Sequence, residues 1–229
     1  MNRNANGAAI FGVAAFMCAM SAWAAEDHSG HQMASSVVRS EHVYPLPDVK
    51  VINADGKRMT LKQAVDDGRP VVLNFIYTTC NAICPVTSQV FYEFREKLGA
   101  DSAKVNMVSI SIDPEQDTPR RLTEYAKRFG GAGVWSHYTS SSAESMEIQR
   151  AFAAWRGDKM NHQPTTYLRA APGRPWVRLD GFVSPEGMVA EYRQTVSRVV
   201  SDNCGGSSKN ASSISQTAGA TSINSKCKS

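Results

Sequence analysis

Hydrophobic positions along this chain follow two rhythms. "PVVLNFIYTT" (70–79) is a continuous apolar run of strand length, the composition of a strand buried on both faces, and "VNMVSISID" (105–113) is a second. Between them Val86, Val90, Phe91, Phe94 and Leu98 recur at helical spacing, which predicts an amphipathic helix beginning at Pro85 and ended by Gly99. Upstream, "KVINADGKRMT" gives two short extended runs around Ala54-Asp55-Gly56, a hairpin signal, and "LKQAVDDG" a short helix closed by Gly68. Downstream, "DTPRRLTEYAKRFG" has Asp117 or Thr118 as N-cap, Pro119 in the first turn and Gly130 at its end. "VWSHYTS" predicts a strand and "SAESMEIQRAFAAW" a helix. "TTYLRA" and "WVRLDGFV" form paired strands around Pro172-Gly173, before a final helix, "SPEGMVAEYRQTVSRVV", capped by Ser184.

Strands alternating with helices, then a terminal hairpin and helix, predict an α/β fold: a central mixed β-sheet flanked by helices, with an N-terminal hairpin. The thioredoxin-like architecture fits this order. The folded domain is expected over 43–201. Residues 25–42 are polar and aperiodic and predict a flexible arm, and 202–229, rich in Ser, Gly and Thr, predict a disordered tail.

The first 24 residues carry one basic side chain, Arg3, then an apolar stretch from Ala8 to Met20 and the small-x-small signal Ala22-Trp23-Ala24. That is the pattern of a secretory signal peptide cut after Ala24. The competing reading is an uncleaved membrane anchor, since Ala5 to Ala25 carries no charge and approaches the ~20 residues that span a bilayer. Both readings place the folded part outside the cytoplasm, in the periplasm, where thiols oxidise unless reduced or ligated.

The 229 residues are 42% hydrophobic and 20% charged, an ordinary globular balance sufficient for one core. The net charge of +4 is scattered, with no basic run, which argues against a nucleic-acid partner. Of five cysteines Cys18 lies in the leader, leaving Cys80, Cys84, Cys204 and Cys227. Cys204 and Cys227 would most simply pair with each other, closing a loop in the tail, or are adventitious. His28, His31 and Met33 in "DHSGHQM" put borderline and soft metal donors on the arm, either a metal-capturing device or a solvated tail without function.

The chemistry concentrates in "YTTCNAICPVTS" (77–88). Proline suits the first position of a helix and pushes the residue before it out of the α region. Cys80 and Cys84 are therefore expected on the loop, with Cys84 at the helix's positive end and a plausible thiolate. A disulfide staple, a redox couple and a two-sulfur metal clamp are all compatible with this spacing. A third ligand must come from elsewhere. His162 precedes a strand whose start lies at the Cys-loop end of the sheet if it runs antiparallel to "VVLNFIYTT", whereas His137 sits inside a strand signal and reads as a packing or surface residue.

"NFIYTTCNAICPV", "SISIDPEQDTPRRLTEYAKRFG" and "NHQPTTYLRAAPG", in this order, resemble the Sco (SenC) family of copper proteins that serve cytochrome c oxidase assembly. The resemblance covers roughly residues 43 to 201. It implies a thioredoxin-like fold, usually membrane-tethered, in which two motif cysteines and a distal histidine bind one copper ion, as Cu(I) or Cu(II). Carried over, those ligands are Cys80, Cys84 and His162, and the partner is the copper-site subunit of cytochrome c oxidase or another periplasmic copper protein. Two departures lie within the motifs. The spacer is Asn81-Ala82-Ile83 where many members have Pro-Asp-Val, and Gln163-Pro164-Thr165 resembles the proline-threonine pair facing the disulfide of thioredoxin-like oxidoreductases. The alternatives are a thiol-disulfide reductase that keeps a partner's copper-site cysteines reduced, and a peroxiredoxin-like peroxidase with Cys84 as its peroxidatic thiol.

Overall fold

Val71–Ile76 is buried at all six positions because both faces of this strand, β4, are covered. Val71, Leu73 and Phe75 point into one apolar cluster, and Val72 into another. The computed structural model describes residues 37–209 except 131, 132 and 134, and for 199–209 the backbone alone. The strands are β1 (Val38–His42), β2 (Lys50–Asn53), β3 (Arg58–Thr60), β4, β5 (Asn106–Ser111), β6 (Trp135–Thr139), β7 (Thr165–Arg169) and β8 (Trp176–Asp180). The helices are α1 (Leu61–Val65), α2 (Ile83–Leu98), α3 (Pro119–Arg128), α4 (Ser142–Ala151) and α5 (Pro185–Lys209).

The eight strands form one sheet in the order β1-β8-β7-β4-β5-β6-β2-β3. β4, β5 and β6 run parallel, whereas β7 is antiparallel to β4 and β8 to β7. β2 and β3 make the expected hairpin and join the far edge through β6. Phe152 and Ile148 seal one face against Leu73 and Phe75; Phe91, Phe94 and Met188 seal the other against Val72 and Met107. Each fully buried side chain of this size contributes about 1.5–3 kcal/mol. This is the predicted thioredoxin-like α/β architecture, a mixed sheet between helices. No helix among the described residues is long and apolar enough to cross a membrane.

Three boundaries differ from the sequence pattern. β1 lies within the segment expected to be a flexible arm and pairs antiparallel with β8 along its whole length. An edge strand needs only backbone partners and one covered face, so it leaves no clear alternation, and here Arg39 ties it to Glu191 of α5 at 2.9 Å. α2 begins at Ile83, two residues before Pro85, because N–H groups in the first turn have no helical partner and a proline there costs little of its interior ~3 kcal/mol. α5 continues to Lys209 rather than stopping near Val200, since extending an existing helix avoids the nucleation cost. The leader, the arm up to residue 36 and residues 210–229 lie outside the described residues.

His137 in β6 is a packing residue: 2% exposed, its ring 4.7 Å from that of Trp135, with Nδ1–H donating to the Trp135 carbonyl at 3.2 Å. Nε2 has no partner, and burial pushes the imidazole from its ordinary 6.5 down to about 4. The unfolded chain therefore takes up this proton between pH 6.5 and 4 while the folded one refuses it, so stability is full above 6.5 and is lost as pH falls. Burial also holds His162 below its ordinary value, which acts in the same direction, whereas Asp117, raised by burial, acts oppositely. The displacement at His137 is worth about 3 kcal/mol. Urea unfolding of wild type should show this decline, and His137→Phe should flatten it by about that amount; parallel pH profiles for the two proteins would refute the assignment.

Candidate metal centre

β4 stops at Ile76, and residues 77–82 cross from its carboxyl end to α2 outside the sheet's ladder. A buried carboxylate secures this crossing. Asp117, with no exposed surface, accepts from the Thr78 N–H at 3.1 Å, from the Thr78 hydroxyl at 2.5 Å and from the Ser111 hydroxyl at 2.6 Å. Burial pushes its carboxyl above the ordinary range against these donors. Thr118, not Asp117, caps α3 by accepting from the Arg121 N–H. From the same helix, the Tyr125 hydroxyl donates to the Cys84 carbonyl at 3.2 Å and shares a 2.6 Å bond with the Ser88 hydroxyl.

The two thiols differ in character. Cys84 is the second residue of α2, wholly buried among Ile76, Leu122 and Tyr125. The expectation that Cys84 is the thiolate is corrected here: burial pushes its thiol far up, and the neighbouring Cys80 and Asp117 add to the rise. A helix N-terminus offers about 0.3–1 kcal/mol, less than one pKa unit, and burial outweighs it. Cys80 is partly exposed, and its Sγ accepts the Cys84 N–H at 3.3 Å. Its burial is outweighed by the N–H groups of Cys84 and Ala82, the Cys84 thiol and the Tyr77 hydroxyl, which together hold the Cys80 thiol below its ordinary value. Cys80 is thus the more acidic thiol of the pair. Both cysteines are free rather than disulfide-bonded. Ala82 precedes the helix with no side-chain cap, so the spacer adds no charge to the loop.

His162 lies at the expected end of the sheet. β7 runs antiparallel to β4 with Asn74 opposite Thr166, which carries the residues before Thr165 toward Tyr77. His162 is 7% exposed, and its Nε2–H donates to the Phe75 carbonyl at 3.1 Å. Nδ1 then carries the lone pair, and burial lowers the imidazole's proton affinity so that the ring is neutral at neutral pH, the form that binds metals. The Tyr77 ring stands edge-on to it, centroids 6.5 Å apart. His162 also borders a cavity of about 420 Å³ lined in part by Asp113, Glu115, Trp155, Arg156 and Lys159. Among the described residues, no three His, Cys, Asp or Glu side chains converge closely enough to hold one metal ion.

Sequence reasoning missed the supporting residues. Asp117 read as a candidate cap of α3, yet it holds Thr78; the available signal was polar Thr78 just past β4 and Ser111 at the end of β5. The Asp113 carbonyl forms the turn before α3, accepting from the Gln116 and Asp117 N–H groups, and its carboxylate binds Lys159 at 2.6 Å. Tyr77 read as part of an apolar run, though it lies beside Cys80 and His162. His28, His31, Met33 and Cys227 lie outside the described residues, as does the side chain of Cys204.

The chain resembles known proteins over this same region. It is 28% identical over 130 residues to the SCO1 protein homolog of Bacillus subtilis, a stretch covering 53% of this chain and 66% of that protein. It is 37% identical over 109 residues to the mitochondrial SCO1 homolog 1 of Arabidopsis thaliana, covering 46% of this chain and 30% of that protein. The match therefore spans less than two thirds of these relatives' own length. Among solved structures, Bradyrhizobium japonicum ScoI with copper bound is 26% identical with a TM-score of 0.54, over 64% of this chain and 96% of that one. BsSco, a Sco-family cytochrome c oxidase assembly protein with a disulfide switch, is 25% identical with a TM-score of 0.58, over 70% of this chain and 98% of that one. The SCO1/SenC family model matches residues 47–197, and with more than half of its length so matched, the chain belongs to the SCO1/SenC family.

Proposed function

We propose that this protein is an extracytoplasmic copper metallochaperone whose cargo is held by Cys80, Cys84 and His162 and passed by ligand exchange to the copper site of cytochrome c oxidase or another periplasmic copper protein. The observation that carries this reading is the anchoring of His162 on Phe75 in β4, the strand that leads into the cysteine loop. The donor chemistry fits: two thiolates suit Cu(I), and the added imidazole accommodates Cu(II). The secretory pattern of residues 1–24 and the copper held by the Bradyrhizobium relative support the same reading.

Copper capture needs both thiols reduced and deprotonated, so it releases protons and draws Cys80 toward the imidazole. Reduced protein should bind near-stoichiometric copper and show thiolate-to-copper charge-transfer bands. His162→Gln keeps a donor for the Phe75 carbonyl but removes the imidazole. It and Cys80→Ala should each weaken binding by at least ~100-fold, beyond the usual cost of losing an outer partner of a metal site. Unchanged affinity in both variants would end the proposal.

The asymmetry of the thiols favours one second reading, a thiol-disulfide reductase that keeps a partner's copper-site cysteines reduced, with Cys80 attacking and buried Cys84 resolving. His162 has no task in that chemistry, so full support of oxidase assembly by His162→Gln would favour it. The peroxidase reading loses its nucleophile, because Cys84 is buried and held protonated. Iodoacetamide should label Cys80 in the folded protein with a midpoint below pH 9.0 and spare Cys84 until unfolding; mass spectrometry finding Cys84 labelled first would contradict the assignment.

A further inference from the structure

Met160 is 71% exposed, unusual for a long apolar side chain, and its setting is fixed. It sits in a 3-10 turn, Lys159–Asn161, two residues before His162. The Asp158 carboxylate accepts the Met160 N–H at 2.8 Å, Lys159 is paired with Asp113 at 2.6 Å, and His162 is bonded to Phe75. The backbone on both sides of Met160 is thus held while most of its side chain is left open to solvent.

The thioether is also engaged. The Tyr77 hydroxyl donates to Met160 Sδ at 3.7 Å, and the ring of the same tyrosine stands edge-on to His162. The Tyr77 carbonyl accepts the Cys80 N–H at 3.1 Å. The Tyr77 hydroxyl also hydrogen-bonds the Cys80 sulfur, so one aromatic side chain adjoins three kinds of copper donor: a partly exposed thiol, an imidazole and a thioether.

Resting on the copper reading above, we infer that Met160 is a further copper ligand selective for the reduced ion, its thioether binding Cu(I) beside the Cys80 and Cys84 thiolates, while His162 supplies the donor preferred by Cu(II). The warrant is softness. Thioethers match Cu(I) and add little to Cu(II), whereas imidazole serves both. A sulfur donor at the solvent edge also gives Cu(I) a contact at the face where it must be exchanged.

The test compares wild type with Met160→Leu, a near-isosteric change at an exposed position that leaves folding intact. Competition with a chromophoric chelator should show Cu(I) affinity falling about tenfold, the low end for losing one partner of a metal site, with Cu(II) affinity unchanged. Selenomethionine-labelled wild type loaded with Cu(I) should show a copper shell in selenium-edge X-ray absorption, and the labelled Met160→Leu protein should lack it. Equal Cu(I) affinities, or no copper around selenium in wild type, would overturn the inference. Failure of wild type to take up Cu(I) at all would overturn the parent reading with it; full uptake by both proteins with no selenium signal would overturn this one alone.

Discussion

The hydrogen bond from His162 Nε2–H to the Phe75 carbonyl, 3.1 Å long, is the contact on which the site's geometry depends. Its net contribution to stability is about 1 kcal/mol, so its importance is positional. Phe75 belongs to β4, which leads directly to the cysteine loop, and His162 immediately precedes the turn into β7, the antiparallel neighbour of β4. One bond thus locks two segments remote in sequence and selects the tautomer. With Nε2 donating, the lone pair resides on Nδ1, and burial keeps the ring neutral so that protons compete weakly for it.

The same strand-to-helix crossing makes two thiols of opposite character. Burying a thiolate shifts its proton affinity by up to several pKa units, whereas a helix N-terminus contributes less than one, so Cys84 stays protonated despite its favourable position. Cys80, partly exposed, gathers N–H groups from the helix start and becomes the more acidic of the two. A metal ion binding both sulfurs must drive the Cys84 proton out of an apolar pocket, and a redox partner meets Cys80 first. Chaperone and reductase readings share this geometry and part only at His162.

Legibility followed burial. β4, β5 and the capped helices α3 and α4 were readable because apolar runs and caps are local signals, and the cysteine pair stood out beside its proline. β1 was not, because its partner β8 lies more than a hundred residues away and its own composition is polar. The start of α2 was misplaced because proline forbids an interior helical position and not the first turn. Asp117 escaped because a buried acid is intelligible only through its donors, and these come from two separate segments, Thr78 in the crossing after β4 and Ser111 at the end of β5. The state of Cys84 depended on depth, which spacing does not encode.

The donors, though neighbours, do not yet converge, and the contacts decide which of them moves. His162 is bound to β4, and the turn before it is pinned by the Asp113–Lys159 pair. Thr78 is fixed by the Asp117 carboxylate, and Cys84 by its helix and by Tyr125. Cys80 is held by its N–H to the Tyr77 carbonyl and, at its sulfur, by the Cys84 and Ala82 N–H groups and the Tyr77 hydroxyl, bonds each worth about 1 kcal/mol. Metal binding at thiolate sites supplies on the order of 10 kcal/mol, more than enough to break them. In the proposed function, therefore, the short arm carrying Cys80 closes on a fixed imidazole, and the buried Asp117 carboxylate, by holding Thr78, confines that motion to residues 79–82.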